Sequence, residues 1–177
     1  RHKFNIVLGI FFSEVGASLM TLCRKVEENA EEQHKLLKEV ESWSNRDFDK
    51  TRSQYTSRNL SIACTGEDLM VFRDLLLGQH DFLLRLLENP SLLEHESFTD
   101  LLWAVFHLSD ELQHRTQFDN LPQGDLKHLA GDIKRAYQLL IIEWLGYMKH
   151  LKNNYPYLFS LAVRTSPFNP DASAEVS

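Results

Sequence analysis

The spacing Glu-x-x-His occurs twice in this chain, as Glu31-Glu32-Gln33-His34 and as Glu111-Leu112-Gln113-His114. On a helix, residues three apart share a face, so a carboxylate and an imidazole at that spacing can ligate one ion. Two such pairs, with two further glutamates from neighbouring helices, make the di-iron site of ferritin-like bundles. Glu31, His34, Glu111 and His114 are therefore the candidate metal ligands. Glu143, inside LLIIEWL, and Glu14, inside an apolar run, are the glutamates that would complete the set. The placement is poor. His34 follows Gln33, which interrupts an apolar seam; Glu31 lies toward the charged face; His114 closes its helix. With 14 Glu and 8 His in 177 residues, such pairs also arise by chance. The expectation is that no metal or other cofactor is bound, with a ferritin-like metal-binding bundle as the alternative reading.

The remaining reactive side chains form no catalytic constellation. His107, in WAVFHLSDE, reads as a core histidine and His80 as a surface one. Asp110 and Glu111 are neighbours in sequence but not a catalytic pair. Glu143 reads as an edge glutamate reaching solvent or a basic partner; the other reading is a buried carboxylate with a raised pKa. Cys23 belongs to the core, and Cys64 precedes the helix start TGED, where a thiol can be activated. The two cysteines are far apart, with no CxxC motif, and are expected as free thiols in a reduced compartment. The sequence has no Gly-rich phosphate loop, zinc pattern or nucleophile elbow. No catalytic residue is assigned, and the chain reads as a non-enzyme.

The chain that must position these groups is long enough for one domain with a core. It is 43% hydrophobic and 25% charged, with a net charge of −6 and a pI near 5.7, which gives no electrostatic footprint for nucleic acid. Only 7 Gly and 5 Pro imply few turns and long elements. Apolar residues recur at spacings of three and four, so the expected class is all-α: an antiparallel bundle with a long N-terminal helix and a short C-terminal one.

Residues 1–43 read as the long helix, with Val15, Leu19, Leu22, Val26, Ala30, Leu37 and Val40 as its seam. Residues 44–64, beginning SNRDFDKTRSQYTSRN, have no apolar period and read as a polar loop. Residues 65–165 carry the remaining helices: one from TGED to Pro90, one over about 97–115, one over about 125–152 and a short one opened by Pro156. Residues 166–177 read as an irregular tail. The aromatic set Trp103, Phe106, Tyr137, Trp144, Tyr147, Tyr155, Tyr157 and Phe159 is assigned mainly to the core, leaving the part near YPYLF to dock a partner or rest at a membrane.

The opening RHKFNIVLGIFF poses a separate question. Between Phe4 and Leu22 the only formal charge is Glu14. A helix apolar on most sides is buried in protein or in lipid. Phe4, Ile6, Val7, Leu8, Ile10, Phe11 and Phe12 are too many for one face, so they are covered by the chain's own helices or by a second copy. The second copy is favoured, giving a homo-oligomer, most simply a dimer, with these seven residues at the interface. Arg1, His2 and Lys3 resemble the basic flank on the cytoplasmic side of a membrane span. They point to a chain cut from a longer protein whose spans precede Arg1.

The stretches EHESFTDLLWAVFHLSDEL and HLAGDIKRAYQLLIIEWLGYMKHLKNNYPYLFSLAVRTSPFNPDAS, between Glu94 and Ser173, resemble the C-terminal cytosolic region of prokaryotic membrane proteins, some of which carry an ion-channel pore domain. The resemblance implies an address at the inner face of the cell membrane and an accessory role in assembly or regulation. It transfers no functional residue.

Overall fold

The computed structural model describes residues 2–92 and 94–176, without the side chains of His2 and Glu32. Helix α1 (His2–Phe11) runs through a π-helical turn (Phe12–Gly16) into α2 (Ala17–Val26) as one continuous rod. There follow α3 (Glu31–Lys38), α4 (Asn45–Ser57), α5 (Gly66–Gly78), α6 (His80–Leu87), α7 (Glu96–Gln113), α8 (Gln123–Asn154) and α9 (Pro156–Arg164), with short 3₁₀ turns at Glu39–Ser42 and Pro90–Leu92. The fold is all-α, as expected, and among the described residues no strand forms beyond one isolated bridge.

Helix α8 is the axis. At 32 residues it is about 48 Å long, and it packs against α7 and α4 along most of that length and against α1, α2 and α9 elsewhere. Leu129, Ile133, Ala136, Leu140, Trp144, Met148 and Leu151 follow the helical period on one face, with Tyr137, Ile141 and Leu145 beside them, all buried. Each large side chain so buried contributes roughly 1.5–3 kcal/mol.

Three expectations need correction. The rod does not continue to Trp43: it ends at Val26, where Glu27 turns extended (ψ 128°) and Asn29 takes a left-handed φ of 53°. Asn tolerates that conformation better than most residues. The break lets the chain pair with residues 61–63, through Glu28 N–H to Ser61 O at 2.8 Å and Ala63 N–H to Val26 O at 2.9 Å.

The polar segment after Trp43 is not a loop but helix α4. Ser44 and Asp47 form a reciprocal capping box, and Phe48, Thr51 and Tyr55 make a narrow buried stripe at spacings of three and four. The helix is held to α8 largely by polar contacts. Gln138 donates to the carbonyls of Tyr55 and Thr56, Arg52 to that of Ile142, and Lys149 pairs with Asp49 at 2.8 Å.

The expected single helix up to Pro90 is two, α5 and α6, broken at Gln79. The tail is irregular as expected, yet its first residues belong to the core: Phe168 is fully buried between Trp144 and His34.

Candidate functional site

The seven residues of the expected interface divide. Leu8, Phe11 and Phe12 are buried in the chain's own bundle, so they are core rather than interface. Phe11 and Phe12 pack edge-to-face, Phe11 meets Phe98, and Phe12 stacks on Tyr147. Phe4 and Val7 are half-buried, with Phe4 stacked on His95 at 3.6 Å. Ile6 and Ile10 are left 51% and 46% exposed.

These two isoleucines form one wall of a groove of about 430 Å³. Tyr147 and Leu151 of α8 floor it, and Leu158 of α9, itself exposed, forms the other wall. A second hollow continues it toward Leu161 and Ala162. Gly9 leaves room for the crossing of α1 over α8, since a Cβ there would stand 2.6 Å from the Tyr147 hydroxyl and displace it. The surface is thus an apolar cleft between α1 and α9, with Glu14 and Ser13 at its edge. The rod between Lys3 and Val26 is long and apolar enough to cross a membrane by length and composition, but 44% of its most apolar 18-residue window is packed inside the bundle. Arg1 lies outside the described residues, as does the side chain of His2.

The two Glu-x-x-His pairs do not converge. His34 turns to Glu27, with Nε2 3.4 Å from Oε1, at the break after α2. The Glu27 side chain is buried, and Tyr137, also buried, lies beside it with its phenol pushed up chiefly by burial and then by the Glu27 charge. Glu31 lies on the wall of the concavity that His34 lines. His114 caps α7 through its Nδ1, 2.7 Å from Asp110 O. Among the described residues, the ligand-type group whose atoms come within 4.8 Å of one another contains Glu111 but neither Glu31, His34 nor His114.

That group, His107, Glu111 and Asp132, joins α7 to α8, and His128 stands beside it through its contacts with Glu111 and Asp132. His107 and Glu111 stand four apart on α7, and His128 and Asp132 four apart on α8. Glu111 Oε2 accepts from His128 Nε2 at 2.5 Å, and Asp132 lies 3.6 Å from both His107 and His128. The loop between the helices sets this register. Arg115 clamps Asp125 of the first turn of α8 with two bonds of 2.9 and 2.6 Å, and donates to the Glu111 carbonyl at 2.6 Å. The hydrogen bond that His128 donates holds the Glu111 carboxyl below its usual range and raises His128; the hydrogen bonds from Arg115 likewise lower Asp125.

His107 is therefore not a core histidine: its side chain is 52% exposed. Asp132, by contrast, is buried. The sequence signal was a second spacing, His-Leu-x-x-acid, which occurs as His107-Leu108-Ser109-Asp110-Glu111 and again as His128-Leu129-Ala130-Gly131-Asp132. In each copy the leucine is fully buried, and the His and the acid, at i and i+4, share the neighbouring face.

Glu143 is the buried carboxylate of its two readings. Burial pushes its carboxyl up, opposed by a hydrogen bond from Ser97 and the charge of Arg52. Cys23 is buried and Cys64 half-buried, both free. Trp103, assigned to the core from sequence, is 61% exposed on α7.

Residues 1–164 match a family described as the C-terminal helical domain of the uncharacterized protein MJ1433. The uncharacterized protein MJ1433 of Methanocaldococcus jannaschii is 46% identical over 167 residues, which cover 94% of this chain and 67% of the relative. No solved structure matches the chain. The chain belongs to the MJ1433 C-terminal helical domain family.

Proposed function

We propose that this domain is a non-enzymatic helical module of a longer, membrane-attached protein, acting in assembly or regulation, and that it associates with a second copy through the α1–α9 cleft. One observation carries the reading: Ile6 and Ile10 of α1 and Leu158 and Leu161 of α9 are exposed together along one groove. Scattered apolar residues on a surface are ordinary, whereas a contiguous apolar groove between two helices is the form that receives a helix. A two-fold arrangement places α1 of each copy in the cleft of the other, which is the commonest way a soluble chain closes an assembly. Two findings support attachment to a longer chain: the family is described as a C-terminal domain, and the relative extends beyond the matched region. The basic residues at the start of the chain, and the resemblance to the cytosolic region of pore-domain proteins, support a location at the inner face of a membrane in this reading. The packing of Leu8, Phe11 and Phe12 makes the rod itself a core helix in this reading rather than the span. Light scattering on the chain, with and without Ile6→Asp and Ile10→Asp, tests the association.

A further inference from the structure

We infer that His107, Glu111, His128 and Asp132 form a binding site for one divalent first-row transition-metal ion, held between α7 and α8. This goes beyond the assembly reading and does not depend on it.

The ligand types fit. Two imidazoles and two carboxylates project from facing helices, one His and one acid from each, and the His107, Glu111 and Asp132 ligand atoms lie within 4.8 Å of one another. Two of the spacings are those of ligands of one ion rather than of hydrogen bonds. Two atoms each about 2.1 Å from one ion in tetrahedral geometry are about 3.4 Å apart. His107 Nε2 to Asp132 Oδ1 and His128 Nε2 to Asp132 Oδ2 are both 3.6 Å, too long for a hydrogen bond. Only Glu111 and His128, at 2.5 Å, are closer than two ligands of one ion stand. An ion bound between them takes the place of that hydrogen bond as the pair opens by about 1 Å.

A second observation points to a ligand independently. Asp132 is 4% exposed, and among the described residues its Oδ2 has no hydrogen-bond partner. A buried carboxylate oxygen without a partner is costly, and a metal ion is the partner the neighbouring groups are arranged to share. Oδ1 has Arg135 Nη1 at 3.2 Å, from a guanidinium that is mostly exposed and free to turn to solvent. Arg115, the other cation beside the cluster, is clamped to Asp125, with its Nη1 3.8 Å from Glu111 Oε2. The paired imidazoles select the class of ion: nitrogen ligands favour zinc and its first-row neighbours over magnesium and calcium, which take oxygen cages. The two His-Leu-x-x-acid segments are the device that builds the site, each burying its leucine and turning its His and acid to the partner helix.

The test uses the full chain stripped with a chelator and dialysed against zinc chloride or magnesium chloride. One zinc is expected per chain, with magnesium far weaker. His107→Ala and His128→Ala should each weaken zinc binding at least about tenfold. Both side chains are 52% exposed, so the fold should survive, as circular dichroism will report. Asp132→Asn should also weaken binding, and His34→Ala and His114→Ala should leave it unchanged. Failure of the wild-type chain to retain zinc, or retention undiminished in the His107→Ala/His128→Ala double variant, would overturn the proposal.

Discussion

Glu111 of α7 and His128 of α8 meet at 2.5 Å, the shortest link in the cluster between the two helices. Its effect on stability depends on pH in a defined window. His128 is raised in the fold from an ordinary value of 6.5, so its contribution is complete below 6.5 and fades as pH rises through the raised value. Glu111 is lowered from 4.5, so its contribution is complete above 4.5 and fades as pH falls through the lowered value. In chelator, the stability lost on His128→Gln should therefore be greatest between about pH 4.5 and 6.5 and shrink toward pH 9. Chemical denaturation of both proteins across that range checks it, and a difference that grows with pH would refute the assignment.

Helix α4 starts at a reciprocal cap in which Ser44 Oγ accepts from Asp47 N–H and Asp47 Oδ2 accepts from Ser44 N–H. Ser44→Ala should cost about 1 kcal/mol of stability, and Ser44→Gly only a few tenths. Urea denaturation of the two variants measures this.

Phe168 lies outside every helix yet is fully buried against Trp144 and near His34. Phe168→Ala should cost about 3–5 kcal/mol, like a core substitution elsewhere in the bundle. Deletion of the residues after it should cost far less, since those described are mostly exposed. Equal effects from the two changes would show that the tail is not seated as described.

Both cysteines should be counted as free thiols after denaturation without reductant, two per chain. In the native protein neither should react quickly at neutral pH. Burial pushes the Cys23 thiol far up, and burial with the Asp68 charge pushes Cys64 up to about 11. Burial, with the Asp68 charge second, thus outweighs any activation by the helix terminus beside Cys64. Rapid labelling of Cys64 at pH 7 would contradict this.

The helices with wide apolar stripes were legible in the sequence. The expected spans 97–115 and 125–152 and the short helix opened by Pro156 correspond to α7, α8 and α9. Helix α4 was not, because three buried side chains suffice where the rest of its docking is polar, and polar contacts leave no hydrophobic period. The break at Glu27 was hidden because the seam residues on either side, Val26 and Ala30, keep helical spacing while the chain between them pairs with residues 61–63. Of the four candidate ligands of the alternative metal-binding reading only Glu111 lies in the cluster. Its partners His107, His128 and Asp132 were missed because a spacing of three was sought where four operates, and because His128 and Asp132 reach it only across the α7–α8 interface.

The central claim is association through the α1–α9 cleft, and multi-angle light scattering over a range of concentrations tests it most directly. The account predicts a mass of about twice the 20.6 kDa chain. It predicts a shift to monomer when Ile6 and Ile10, 51% and 46% exposed, are both replaced by Asp, with helical content unchanged because neither is in the core. A monodisperse 20.6 kDa species at high concentration, with the same size and melting temperature in the double variant, would contradict it.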